Sequence, residues 1–190
     1  MGILVRELLA QPIILAQRVK LRPVTLADTA ALLAYASDPA TAHYVFPVQH
    51  SVEDSKNTIL DFFMAQPAGQ YGIALQANDQ LIGTLQLLNI DEANRKASLA
   101  YVLDPTYQHQ GYMQESLQAL LAVLFQQTSL QRLYALHEPE NQASAKVMLA
   151  AGLQQEGVLH QTIFIRHQFV DGCLHAMTRD QYLNGVNDDE

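Results

Sequence analysis

The chain has 190 residues, of which 49% are hydrophobic and 16% charged, a composition that excludes intrinsic disorder and suits one globular domain spanning 1–190. Its formal net charge of −8 argues against a nucleic-acid backbone as partner and fits a cationic or amine partner better. Cys173 stands alone, which excludes a disulfide framework and a thiolate metal cluster.

The N-terminus, MGILVRELLAQPIILAQRVK, breaks its apolar runs with Arg6, Glu7 and Gln11, too soon for a signal segment or a membrane span. Arg6 also misses the Ser/Thr of a myristoylation motif. A soluble cytoplasmic protein with no membrane partner is expected, its core running from about 18 to 178.

Residues 18–24 alternate Val19 and Leu21 against Lys20 and Arg22, the pattern of an outer strand. Thr25-Leu-Ala-Asp28 is a capping-box variant for a helix reaching about Ala36, which Asp38-Pro39 stops. Residues 40–46 read as short helical or irregular. Ser51-Val-Glu-Asp54 then caps a helix whose buried side is Ile59, Leu60, Phe62 and Phe63. Beyond Pro67 and Gly69 the period becomes extended. Residues 71–77 and 81–90 are predicted strands joined at Asn78-Asp79, and 91–95 turn into a third strand at 96–103, buried on both sides.

Asp104-Pro105 ends that strand, and Met113, Leu117, Leu120, Leu121 and Leu124 recur at helical spacing over 112–127. The residues before this helix, Gln108, His109, Gln110 and Gly111, include none of the usual side-chain caps. Its first amides are therefore either solvated or an anion site, for which phosphate is the usual guest at the positive end of a helix dipole. Residues 131–137 form a fifth strand, parallel to 96–103 because a helix separates them. A helix over 140–151 turns Ala143, Val147, Ala150 and Ala151 inward, with Gly152 at its C-terminus. Strands at 153–165 and 167–176 close the fold, and the tail 184–190 is expected to fray.

The ordered set of these features resembles the GNAT acyltransferase superfamily, and within it the RimJ/RimL branch of ribosomal-protein N-terminal acetyltransferases. The residues that carry the likeness are Leu21-Arg22-Pro23, Ile82-Gly83-Thr84, Ala100-Tyr101-Val102-Leu103-Asp104, and Gln108-x-x-Gly111-Tyr112-x-x-Glu115. They continue as Pro139-x-Asn141-x-x-Ser144, Gly152-Leu153-x-x-Glu156-Gly157 and Asp171, and the likeness spans 19–177. The resemblance implies an α/β fold with one mixed sheet of about seven strands, a splayed parallel pair at its centre and helices on both faces. It also implies acetyl-CoA as co-substrate, with no metal. The pyrophosphate would rest on the amides of Gln108, His109, Gln110, Gly111, Tyr112, Met113 and Gln114. The pantetheine arm would pair with the strand at Tyr101, Val102 and Leu103, with Asn141 and Ser144 on its far side. Three positions depart from the family pattern: Met113 stands where Gly or Ala is usual, Ser98 where relatives often carry Glu, and Met148 where many carry a tyrosine acid.

Acetyl transfer to an amine requires a neutral amine, donors for an oxyanion and a proton for the departing thiolate. By resemblance Ser144 is the hydroxyl nearest the sulfur, and it is otherwise a polar residue on a helix face. His137, at the end of the fifth strand, is either the base or a core-edge histidine; Glu138, Asp91 and water are the other options. His109 either helps hold a phosphate or is solvated. Cys173 reads as a small core residue, which favours direct attack over a covalent intermediate. The expected acceptor is a protein or peptide N-terminus, with a small amine (polyamine, amino acid or antibiotic) or a non-catalytic CoA-binding role as alternatives, and a homodimer is left open.

Overall fold

The period-two stretches build one mixed sheet of eight strands in a computed structural model that describes residues 1–42, 45–165 and 167–187. The strands are β1 (Ile14–Leu15), β2 (Val19–Arg22), β3 (Gln70–Leu75), β4 (Leu81–Asp91), β5 (Lys96–Leu103), β6 (Arg132–His137), β7 (Gln154–Ile165) and β8 (Gln168–Thr178), in the order β1-β2-β3-β4-β5-β6-β8-β7. Neighbours are antiparallel except β5 and β6, which are parallel as the intervening helix requires. The extra strand beyond the expected seven is the two-residue β1, too short to show a period.

The helices are α1 (Ile3–Leu9), α2 (Thr29–Ala36), α3 (Pro39–Ala42), α4 (Val52–Thr58), α5 (Tyr112–Gln127), α6 (Gln142–Ala150) and α7 (Arg179–Asn187). Two clusters of buried apolar side chains flank the sheet. The larger joins Leu4 and Leu8 of α1 and Leu117, Leu120, Leu121 and Leu124 of α5 to Leu21, Ile73, Ile82 and Leu103. The smaller joins Leu32 and Tyr35 of α2 to Val24, Leu81 and Val102. Successive residues such as Leu81 and Ile82, or Val102 and Leu103, enter different clusters, as pleating dictates.

Three expectations are corrected. The apolar N-terminus forms α1, whose first amides, Leu4 N and Val5 N, donate to the Glu92 carboxylate at 3.1 and 2.9 Å. The tail is helical through α7, started by a reciprocal pair in which Thr178 N donates to Gln181 Oε1 at 2.8 Å and Gln181 N to Thr178 Oγ1 at 3.3 Å; residues 188–190 lie outside the described residues. Ser51 caps α4, accepting from Asp54 N, but Ile59–Met64 continues as a π-helix. The wider turn rotates Leu60 and Phe62 to solvent and leaves Ile59 and Phe63 inside. In the stretch 40–46, Pro39–Ala42 is helical, and positions 43 and 44 lie outside the described residues.

Arg22 ties three elements together. Its guanidinium donates to both oxygens of Asp28 at 2.9 and 2.8 Å and to Asp79 in the β3–β4 turn at 2.6 Å. Asp28 also accepts from Thr25 N at 2.8 Å, completing the capping box. The Arg22–Asp28 pair is nearly buried, whereas the Asp79 side chain is 57% exposed. Asp28→Ala should therefore lower the free energy of unfolding by about 3 kcal/mol, because it strands a buried guanidinium. Asp79→Ala should cost less than about 1 kcal/mol. Urea denaturation of the two variants checks the contrast.

The same core holds a buried imidazole, His175 on β8, with neither ring nitrogen hydrogen-bonded among the described residues and its ring 5.0 Å from that of His137. Burial, and then the nearby His137, push the His175 pKa below its ordinary value. The unfolded chain therefore binds a proton that the folded chain resists, so stability falls as pH drops below about 6.5, the unfolded imidazole value. His175→Leu should flatten this loss, seen as a smaller drop in urea midpoint between about pH 7 and pH 5 than the parent shows.

Candidate functional site

The β5–α5 junction is built from local turns and one distant clamp. Asp104 accepts from Thr106 N at 2.8 Å, a 3₁₀ turn covers Pro105–Tyr107, and Gln108 Nε2 donates to Leu103 O at 3.0 Å. His109 and Gly111 both have positive φ, +60° and +82°, and Gly111 stands at the N-cap of α5 with no side-chain bond to the helix amides. A side chain at Gly111 would be strained in this left-handed conformation.

Arg18 holds the turn from outside. Its Nη1 donates to Gln110 O at 3.0 Å, its guanidinium lies 4.5 Å from the centre of the Tyr112 ring, and its Nε pairs with Glu115 at 2.7 Å. Burial raises the Glu115 pKa, but bonds from the Arg18 and Val19 amides and the Arg18 guanidinium outweigh it and hold the carboxyl below its ordinary value. Met113 is buried in the larger core. Its bulk goes into the protein, so the long side chain in place of Gly or Ala leaves the turn open.

A groove of about 590 Å³ runs from this junction between β5 and α6. Tyr101, Val102, Leu103, Gln108, His109, Gly111, Tyr112, Met113, Gln114, Asn141 and Ser144 all line it. Gln110 does not: its carbonyl is taken by Arg18 and its side-chain amide donates to Thr106 O at 3.0 Å. The orientation of α6 corrects half of the expected inward face: Val147 and Ala151 do pack on the larger core. Ala143 and Ala150 are exposed and line the groove, while Met148 is the buried residue of the helix. Small side chains are read equally well as core or as the floor of a cleft, so their pattern does not separate the two. Asn141 Oδ1 accepts from Ser144 N at 3.1 Å and caps α6. Sequence reasoning missed Lys146 and Thr41, which also line the groove; Lys146 carried a weak signal as the one cation in an otherwise uncharged helix.

A second cavity, about 300 Å³, occupies the wedge between β5 and β6 and shares Val45, Tyr101, Asn141 and Ser144 with the groove. The strands pair only at Lys96↔Arg132, Ala97↔Leu133 and Ser98↔Tyr134. Beyond that, β5 follows β4 and β6 follows β8, so the wedge opens between Leu99-Ala100-Tyr101 and Ala135-Leu136-His137. The Tyr101 hydroxyl donates to Ser144 O at 3.0 Å, and burial pushes its pKa up to about 12, which keeps it protonated.

His137 and Glu138 line this cavity and are both buried. His137 Nδ1 lies 2.7 Å from Glu138 O. A carbonyl oxygen only accepts, so Nδ1 carries a proton, and Nε2 is the nitrogen that holds the lone pair in the neutral tautomer this allows. Nε2 has no hydrogen-bond partner among the described residues. Ser98, at the family's usual Glu position, is tied up in the sheet: it donates to Leu88 O at 3.1 Å and accepts from Asn89 at 3.0 Å. Asp91 caps the β4–β5 turn, accepting from Asn94 N at 3.0 Å, and lines neither cavity. Cys173 is a buried residue of β8 opposite His137.

No helix among the described residues is long and apolar enough to cross a membrane. A family model for the acetyltransferase (GNAT) domain matches residues 18–154. The chain is 30% identical over 131 residues to the ribosomal-protein-serine acetyltransferase of Escherichia coli (strain K12), covering 68% of this chain and 73% of that one. It is similar in structure to a GNAT-family acetyltransferase from Bacillus anthracis, with a TM-score of 0.80 and 25% identity over 88% of this chain and 99% of that one. RimL, the ribosomal L7/L12 alpha-N-protein acetyltransferase solved with coenzyme A, superposes with a TM-score of 0.79 at 24% identity over 89% of this chain and 99% of that one. The chain is an acetyltransferase and belongs to the GNAT family, in its RimJ/RimL-like branch.

Proposed function

We propose that the chain transfers an acetyl group from acetyl-CoA to the N-terminal amine of a polypeptide by direct attack. The observation that carries this is a groove at the uncapped start of α5 that shares Tyr101, Asn141 and Ser144 with a wedge lined by a buried imidazole, whose Nε2 has no hydrogen-bond partner among the described residues. The ribosomal-protein acetyltransferase relative supports the choice of acceptor.

Acetyl-CoA fits the groove on two counts: unpartnered amides at the positive end of a long helix suit its pyrophosphate, and Lys146 adds a cation to the same groove. Gln108, His109, Gly111, Tyr112, Met113 and Gln114 would hold the phosphates, and Tyr101, Val102, Leu103, Asn141 and Ser144 the arm. Gln110 would serve through its backbone, as the carbonyl that Arg18 grips. When bound, the thioester supplies an activated acetyl carbon.

The amine nitrogen then bonds to that carbon, the carbon–sulfur bond breaks, the nitrogen gives up one proton and the sulfur takes one. His137 is the base of this reading: Nε2 accepts the proton, and the bond from Nδ1 to Glu138 O holds the ring in the tautomer that can. Ser144, at the seam of the two cavities, hydrogen-bonds the sulfur. The β5 backbone beyond Ser98, which has no ladder partner on its β6 side, offers amides for the oxyanion.

Saturation at about 100 times the Kd should raise Tm by roughly 5–10 °C; no shift would remove the cofactor reading. Gly111→Val should weaken acetyl-CoA binding at least about tenfold, because only glycine lets the backbone approach in the left-handed conformation. Isothermal titration checks it, and parent-like affinity would dismiss the helix-terminus site.

His137→Asn retains a donor for Glu138 O and removes the basic nitrogen. It should lower kcat on an acceptor peptide about a hundredfold with acetyl-CoA affinity unchanged. Unchanged turnover would transfer the proton to water. Thiol release with peptides and with polyamines separates the peptide acceptor from a small-amine one.

A further inference from the structure

Arg18 stands on the side of the β5–α5 turn that faces away from the groove. It lines neither cavity, yet its side chain bonds only to this turn and to the helix that follows it. Its backbone is fixed first: Arg18 O accepts from Gln76 N at 2.9 Å, just past the end of β3, and the Arg18 and Val19 amides donate to Glu115. From there Nε reaches Glu115 at 2.7 Å, Nη1 reaches Gln110 O at 3.0 Å, and the guanidinium lies 4.5 Å from the centre of the Tyr112 ring. A planar fork holds two such points at a fixed separation, which a single ammonium cannot do.

The grip on the Gln110 carbonyl acts on the other face of the same peptide unit. In a trans peptide the C=O and the following N–H point in opposite directions. An outward Gln110 O therefore sends the Gly111 N–H inward, and Gly111 lines the groove while Gln110 does not. That N–H donates to no described residue. The residues on both sides of Gln110 are left-handed, His109 at φ +60° and Gly111 at φ +82°, so no helical ladder holds this peptide unit and the contacts around it set its direction.

Resting on the reading that acetyl-CoA occupies the groove, we propose that Arg18 is a positioning residue for the diphosphate: without touching the ligand, it aims the Gly111 amide at a phosphoryl oxygen by holding Gln110 O. Glu115 serves the same end, because its carboxylate takes Nε and both backbone amides and so sets where the fork sits. Paired with that carboxylate, the guanidinium contributes direction rather than net charge. Direction counts, since a hydrogen bond to a charged acceptor is strong only when well aligned.

The test compares the full chain with Arg18→Lys and Arg18→Ala in three measurements. These are the Kd of acetyl-CoA by isothermal titration, kcat for thiol release at saturating acetyl-CoA with an acceptor peptide, and kcat/KM with acetyl-pantetheine, a thioester that lacks the diphosphate. Both variants should bind acetyl-CoA about tenfold more weakly, the loss of one well-aimed bond to a charged group. Their kcat at saturation and their kcat/KM with acetyl-pantetheine should stay within about twofold of the parent. Should urea denaturation show Arg18→Ala to be unfolded, Arg18→Lys decides, because it keeps the charge and loses only the fork. Parent-like affinity in Arg18→Lys overturns the proposal and leaves the cofactor reading standing. A matching fall in kcat, or an equal fall with acetyl-pantetheine, marks a general loss of the groove and overturns it as well. A parent that does not bind acetyl-CoA, or releases no thiol from it, overturns the acetyl-CoA reading itself and this proposal with it.

Discussion

The separation of β5 from β6 is the constraint on which the site depends. A parallel pair buried at the centre of a sheet normally continues its ladder, since an unpaired backbone group away from water is costly. Here the ladder stops after Ser98↔Tyr134, and each strand keeps its other neighbour instead: Leu99, Ala100 and Tyr101 stay with Leu87, Gln86 and Leu85, while Ala135, Leu136 and His137 stay with His175, Leu174 and Cys173. Alongside the last parallel pairs β4 carries a bulge, in which Asn89 and Ile90 oppose the single residue Ala97. A bulge bends its strand and adds twist. Ser98 secures it through bonds to Leu88 O and Asn89. The position where the family often places a catalytic glutamate thus serves the backbone geometry that opens the wedge.

Once the strands part, the rest follows from what must span the gap. The crossover from β5 to β6 runs through α5, so the start of that helix lies at the mouth of the opening. Arg18 and Glu115 fasten it to β2 at the far side of the sheet, with two backbone amides and one guanidinium meeting one carboxylate. This clamp replaces what a side-chain N-cap would do for position, and leaves the amides themselves unspent. A cap would have stabilised the helix by about 1 kcal/mol and closed the anion site in doing so.

Legibility in the sequence tracked how local the cause was. The β3–β4–β5 hairpins, the capping box at Thr25, the Ser51 cap and the uncapped start of α5 were all readable, because each rests on residues a few positions apart. The helix at 3–9 was not, since its N-terminal partner is Glu92, 88 residues along the chain, and its apolar face of Leu4 and Leu8 is only two residues wide. The π-helix at 59–64 defeated a 3.6-residue period by changing the period. On α6, Ala143 and Ala150 fit core and cleft alike, and only the position of α5 decides between them. The motif residues fell together in one groove because they sit at element ends on the same edge of the wedge, apart from Gln110, whose side chain a single bond to Thr106 O turns away. The stacking of His137 on His175 had no sequence signal, as it joins β6 to β8 diagonally across a register that no local pattern encodes.

The departures at Ser98 and Met148 bear on chemistry as well as on geometry. With Ser98 bonded into the sheet and Met148 buried against the wedge, neither of the family's frequent proton carriers is present, and the polar groups of the cavity are His137 and Glu138 at the end of β6, Asn141 and Ser144 at the start of α6, and Tyr101 on β5. The Nδ1 bond to Glu138 O orients the His137 ring, and burial together with the nearby His137, its ring centre 5.0 Å away, lowers the pKa of His175 behind it. With serine in place of glutamate on β5, the imidazole that lines the wedge stands on β6, at His137.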